Sequence, residues 1–118
     1  MQRRRRGDLE RAVLRVLWEA DEPVSATWVR DRFEDDDRPA LTTVLTVLTR
    51  LVDKGAVERT GSARSQRFAP TRTEAQAAAG AMEAALATTA DRPSALQEFA
   101  GRLDQTELRA LRRALDSS

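Results

Sequence analysis

LTTVLTVLTRLVDKG, Leu41–Gly55, is the stretch whose reading decides the fold. At 3.6 residues per turn, Leu41, Val44, Leu45, Val47, Leu48, Leu51 and Val52 fill one side of a helix. The other side holds Thr42, Thr43, Thr46, Thr49, Arg50, Asp53 and Lys54. An ordinary solvent face carries Glu, Lys and Gln. Each Thr costs up to about 0.7 kcal/mol of helix propensity relative to Ala. Four of them therefore point to a use other than helix stability. Short hydroxyls, methyl groups and one Arg suit the edge of a base pair in a major groove.

Working outward, Val57–Thr60 reads as a short strand, Gly61–Ser65 as a turn, and Gln66–Ala69 as a second strand stopped by Pro70. Before the quoted stretch, residues 8–20 read as a helix with Leu9, Ala12, Val13, Val16, Leu17 and Ala20 on its main apolar face. Leu14 and Trp18 add a second stripe. Asp21, Glu22 and Pro23 end this helix, and Val24 reads as a very short strand. Ser25 is the expected N-cap of a second helix over 26–34, with Val29, Phe33 and Trp28. Glu34–Asp37 is an acidic loop, Pro39 opens the third helix, and Gly55 closes it as the C′ residue. Three helices and a β-hairpin make a winged helix, with the third helix as reader and the hairpin as wing.

The tail is helical. Thr71-Arg72-Thr73-Glu74 resembles a capping box before an Ala-rich helix, about 74–88, with Met82 and Leu86 as its large apolar residues. Asp91-Arg92-Pro93 breaks it. Ser94 opens a short helix bearing Leu96, Phe99 and Leu103, and Asp104-x-x-Glu107 opens a last one bearing Leu108, Leu111 and Leu115. Too few large side chains are present to close a core in one chain. They can bury their faces only on the rest of the protein or on a second copy. The expectation is a mainly α chain with a winged-helix domain over 1–72 and a helical dimerisation domain over 73–118, forming a C2 homodimer.

The composition excludes several classes. With no Cys and no His among 118 residues, disulfides, thiolate or imidazole metal sites and Ser-His-Asp catalysis are absent. No nucleophile–base constellation stands out, and neither an enzyme nor a cofactor is expected. No apolar run reaches the ~18 residues of a membrane span, and charges after Arg3–Arg6 interrupt any signal-peptide core. A cytoplasmic protein without membrane insertion is expected. Residues 1–72 hold 15 Lys/Arg against 12 Asp/Glu, and residues 73–118 hold 5 against 7, so the N-terminal part is the side for a polyanion. The Arg3–Arg6 run fits either a flexible tail or an arm on phosphates.

With helix three and the wing placed, the sequence resembles the BlaI/MecI family of penicillinase repressors. The matching pieces are Gly7-Asp8-Leu9-Glu10 through Leu17-Trp18, then Thr42-Thr43-Val44, Thr46, Leu48, Arg50-Leu51 and Lys54-Gly55. Arg64, Phe68 and Pro70 follow the family's wing pattern, and Ser94–Phe99 and Leu108–Leu115 fit as well. The resemblance implies a cytoplasmic dimeric repressor of beta-lactam or other stress-response genes, bound to a pseudo-palindromic double-stranded DNA operator. Its DNA-contacting positions fall on Thr42, Thr43, Thr46, Arg50 and Arg64. Thr42 stands where a basic residue is common in the family. Some relatives are induced through a membrane sensor-protease and cut near an Asn-Phe bond; here that place reads Glu98-Phe99. Copper-responsive relatives carry a C-terminal Cys motif that this chain lacks.

The residues assign roles in this way. Thr43 and Thr46 offer hydroxyls and methyls to base edges, and Arg50 pairs with guanine or phosphate. Thr42 and Thr49 touch the backbone. Arg64 and Arg67, with Arg59 beside them, hold phosphates or enter a minor groove. The other class the pattern allows is a winged-helix protein-interaction module without sequence-specific DNA binding, docking a partner helix on Leu14 and Trp18.

Overall fold

The computed structural model describes residues 6–117, and of residue 6 the backbone only. The Arg3–Arg6 arm otherwise lies outside the described residues. The chain divides into two compact units, one ending at Ala77 and the other starting at Ala78.

In the first unit, α1 (Arg6–Glu19), α2 (Ala26–Arg30) and α3 (Leu41–Asp53) pack with the antiparallel hairpin β1 (Val57–Ser62) and β2 (Ser65–Pro70). Phe68, Leu17, Leu48, Val13, Val29 and Val44 are fully buried in one core. Each such side chain contributes about 1.5–3 kcal/mol of transfer free energy on burial. Val24 forms an antiparallel bridge to Phe68: the Phe68 N–H donates to the Val24 carbonyl at 2.8 Å, and the Val24 N–H donates back at 3.0 Å. The bridge ties the α1–α2 connection to the wing.

Ser25 caps α2, its Oγ accepting from the Trp28 N–H at 3.1 Å. The helix ends at Arg30, four residues short of the expected 34. Arg32 and Phe33 donate to carbonyls three residues back, those of Val29 and Arg30. This tighter winding accompanies the burial of Phe33 in the core, where it is 8% exposed. Arg38 then donates to the Phe33 carbonyl at 3.0 Å and pairs with Asp35 at 3.1 Å. Within the expected acidic loop, Asp35–Asp37 forms a short 3-10 turn.

The N-cap of α3 is Ala40, without a side-chain cap, so Pro39 lies just outside the helix. At the other end Gly55 takes a φ of +80°. The Ala56 N–H donates to the Leu51 carbonyl at 2.9 Å and the Gly55 N–H to that of Val52 at 3.0 Å. These two bonds are the Schellman closure, which a left-handed glycine makes cheap. Both strands run longer than expected, leaving Ala63-Arg64 between the paired Ser62 and Ser65. Gly61 takes the left-handed step, at φ +87°, and a Cβ there would sit 2.2 Å from the Ser65 carbonyl oxygen.

The capping box before α4 (Glu74–Leu86) is Thr73 with Gln76, not Thr71 with Glu74. Thr71 is committed elsewhere: its hydroxyl donates to the Gly55 carbonyl at 2.7 Å and its N–H to that of Ala56 at 3.0 Å. Likewise α5 (Arg92–Ala100) is capped by Asp91 rather than Ser94. The Asp91 carboxylate accepts from the Ser94 N–H at 3.2 Å and from its hydroxyl at 2.6 Å. The box Asp104-x-x-Glu107 opens α6 (Gln105–Asp116) through bonds of 2.8 and 2.9 Å.

Candidate nucleic-acid interface

The core and the solvent divide α3 as its periodicity requires. Val44, Val47, Leu48 and Leu51 are buried, while Thr42, Thr43, Thr46 and Thr49 are exposed and Arg50 is half-buried. Four small hydroxyl side chains and one guanidinium therefore share the outward side of a helix whose inward side is locked in the core. The first turn has neither a side-chain cap nor an acidic residue, so its N–H groups and the positive end of the dipole are open to an anion. Arg50, Arg64 and Arg67 make no ion pair among the described residues.

Hydrogen bonds give the threonines different characters. Thr46 Oγ1 donates to the Thr42 carbonyl one turn back at 2.9 Å. Its proton is spent inside the helix, leaving a methyl and oxygen lone pairs for a ligand. Thr49 Oγ1 instead accepts from Arg59 Nη2 at 3.0 Å, which leaves the Thr49 proton to donate. Arg59 also lies over the Phe68 ring at 5.6 Å.

Strand alternation separates the wing arginines. Arg59 pairs with Phe68 in register and shares the face of buried Val57, turned toward α3. Arg67 pairs with Thr60 on the opposite face, and Arg64 sits in the turn at the tip. All three are exposed. Among the described residues, neither Arg64 nor Arg67 bonds to α3. The sequence sets Arg59 beside Arg64 and Arg67 at the phosphates; its position two residues from Val57 in a strand is the signal for the helix-facing side.

Lys54, at the end of α3, is exposed but tied to α1. Its Nζ donates to Glu10 Oε1 at 2.7 Å. The Leu14/Trp18 stripe is also in use: Leu14 packs on the core, and the Trp18 indole N–H donates to the Arg72 carbonyl at 3.0 Å. Arg32 stacks on Trp28 at 4.0 Å.

In the second unit none of the residues expected to dimerise is buried. Leu86, Leu103 and Leu108 are partly covered, whereas Met82, Leu96, Phe99, Leu111 and Leu115 are 53, 51, 42, 42 and 66% exposed. Met82, Leu86, Leu96 and Phe99 line an apolar groove of about 440 Å³. No described helix is long and apolar enough to cross a membrane, and no described acidic cluster could hold a metal.

Comparison with known proteins fits these features. The chain is 41% identical over 114 residues to the transcriptional regulator BlaI of Mycobacterium tuberculosis, in two strains, across 94% of this chain and 83% of that protein. The fold recurs in the solved complex structures of hsRosR-S4 and hsRosR-S1, each with a TM-score of 0.52 and 22% identity over 87% of this chain and 90 or 92% of theirs. The model of the penicillinase repressors matches residues 6–117. The chain belongs to the penicillinase repressor family, whose members regulate transcription and are not enzymes.

Proposed function

We propose that this protein represses transcription as a homodimer, each protomer presenting α3 to the major groove of a pseudo-palindromic operator and its wing to the flanking backbone. The observation that carries this reading is the outward side of α3, with Thr42, Thr43, Thr46 and Arg50, which makes no ion pair among the described residues, on a helix anchored by Val44, Val47, Leu48 and Leu51. Thr43 and the Thr46 methyl meet base edges, Arg50 pairs with guanine or phosphate, Thr42 and Thr49 touch backbone, and Arg64 and Arg67 hold phosphates. Residues 1–72 bind DNA and residues 73–118 dimerise. The five large apolar side chains left 42–66% exposed in the second unit support a second copy as their cover.

Repression follows from occlusion, because a dimer across a promoter excludes polymerase. Induction by a membrane sensor-protease acting at Glu98-Phe99 would first have to open α5, which holds both residues in helix. The test is binding of duplexes selected from a random pool, measured between 50 and 200 mM salt. A dimer making ~6–10 phosphate contacts loses ~10³–10⁵ in affinity over that range. Binding that ignores both salt and sequence would overturn the reading.

A further inference from the structure

We propose that Arg59 is a positioning residue of the DNA interface rather than a phosphate contact: it sets the hydroxyl of Thr49 and holds the wing at a fixed angle to α3. The inference rests on the DNA-binding reading above.

The Arg59 guanidinium is engaged on two sides. Its Nη2 donates to Thr49 Oγ1 at 3.0 Å, and its carbon lies 5.6 Å from the centre of the Phe68 ring. Phe68 is 1% exposed and bridges to Val24, so the ring is a fixed support. The Arg59–Thr49 bond joins β1 directly to the outward side of α3. A planar guanidinium suits this place because it can stack and donate at once, which a Lys ammonium does less well.

The consequence falls on Thr49. A hydroxyl has one proton and two lone pairs. With Arg59 donating to its oxygen, its own proton points elsewhere, and on the proposed operator it would donate to a phosphate oxygen. Cationic Arg59 also polarises that O–H and strengthens it as a donor. Arg59 thus acts through Thr49. Arg64 and Arg67, at the tip and on the outer face, remain the wing residues free to meet phosphates themselves.

The experiment measures binding to a duplex selected by the wild-type protein, over a salt series, for Arg59→Met, Thr49→Val and the double variant, with Arg64→Met as reference. Arg64→Met should lower the salt slope by about one unit, the mark of a lost phosphate contact. Arg59→Met should weaken binding about five- to tenfold, the size of one hydrogen bond, with the slope unchanged. Thr49→Val should lose as much, and the double variant no more than either alone. Thr49→Ser and Arg59→Lys keep a donor–acceptor pair, so both should recover part of the affinity. They also keep the test decisive if Arg59→Met melts early. A slope lowered by about one unit in Arg59→Met, or additive losses in the double variant, would overturn the proposal while leaving DNA binding intact. Failure of the wild-type protein to select any duplex overturns both readings.

Discussion

Lys54 Nζ lies 2.7 Å from Glu10 Oε1, joining the end of α3 to α1 across 44 residues. The Glu10 side chain is 11% exposed and that of Lys54 61%. The pair is therefore asymmetric: a nearly buried carboxylate depends on a well-solvated ammonium.

Removing the two partners should have unequal effects. Lys54→Met leaves the Glu10 carboxylate buried and unpaired, and should destabilise by about 1–2 kcal/mol after discounting for the exposed Lys. Glu10→Met removes the charge that needs a partner and should cost less, as replacing buried ions by apolar groups often does. Urea unfolding of both variants checks this, and equal losses would count against it.

The two left-handed glycines should also differ. Gly55→Ala meets no atom within 4 Å, so it should cost only the conformational strain, about 1–2 kcal/mol. Gly61→Ala adds a collision with the Ser65 carbonyl at 2.2 Å, backbone that cannot give way cheaply. It should lose more stability than Gly55→Ala and disorder the hairpin tip, visible as new exchange of the β1–β2 amides.

On the DNA side, Arg50→Ala should reduce specific binding by about 1–3 kcal/mol if Arg50 makes a bidentate base contact. Thr46 tests the role of its bonded hydroxyl. Thr46→Val keeps the methyl and should bind within about twofold of wild type, whereas Thr46→Ala loses one methyl contact, worth about 0.8 kcal/mol or fourfold. The reverse ranking would show that the hydroxyl reads the base.

For the second unit, Leu111→Asp with Leu115→Asp should give monomers that bind operator weakly. Both side chains are already exposed in the single chain, so the change should leave α6 helical. Sedimentation reporting the wild-type mass would sink the dimer.

Acid should loosen α5 at its start. The Ser94 hydroxyl, and after it the Ser94 N–H, hold the Asp91 carboxyl below its ordinary pKa. A depressed folded pKa means that the cap contributes above the ordinary carboxylate range and fades as pH falls through the folded value. Asp91→Ala should show the acid-state amide exchange at Ser94 and Ala95 already at neutral pH, and little further change on acidification.

Much of this protein is written in contacts three or four residues apart. The apolar side of α3, the Gly55 stop, the Ser25 cap and the Asp104–Glu107 box are all local, and each follows from periodicity or from a single backbone bond. The same holds for the outward threonines, since a helix with one buried side leaves the other in solvent. Competition between local and distant partners is a different matter. Thr71 has the spacing of a cap, yet its hydroxyl goes to Gly55, 16 residues away, and the cap passes to Thr73. Helix α2 stops at Arg30 where the turn tightens and Phe33 joins the core. The partners of Thr49 and Glu10 lie 10 and 44 residues away. No periodicity encodes such pairs, because they exist only once packing has brought separate elements within hydrogen-bond reach. Residue types, helix sides and the Thr46 hydroxyl, bonded one turn back, are thus set along the chain, while the direction of the Thr49 hydroxyl and the seating of α3 are set by the assembled core.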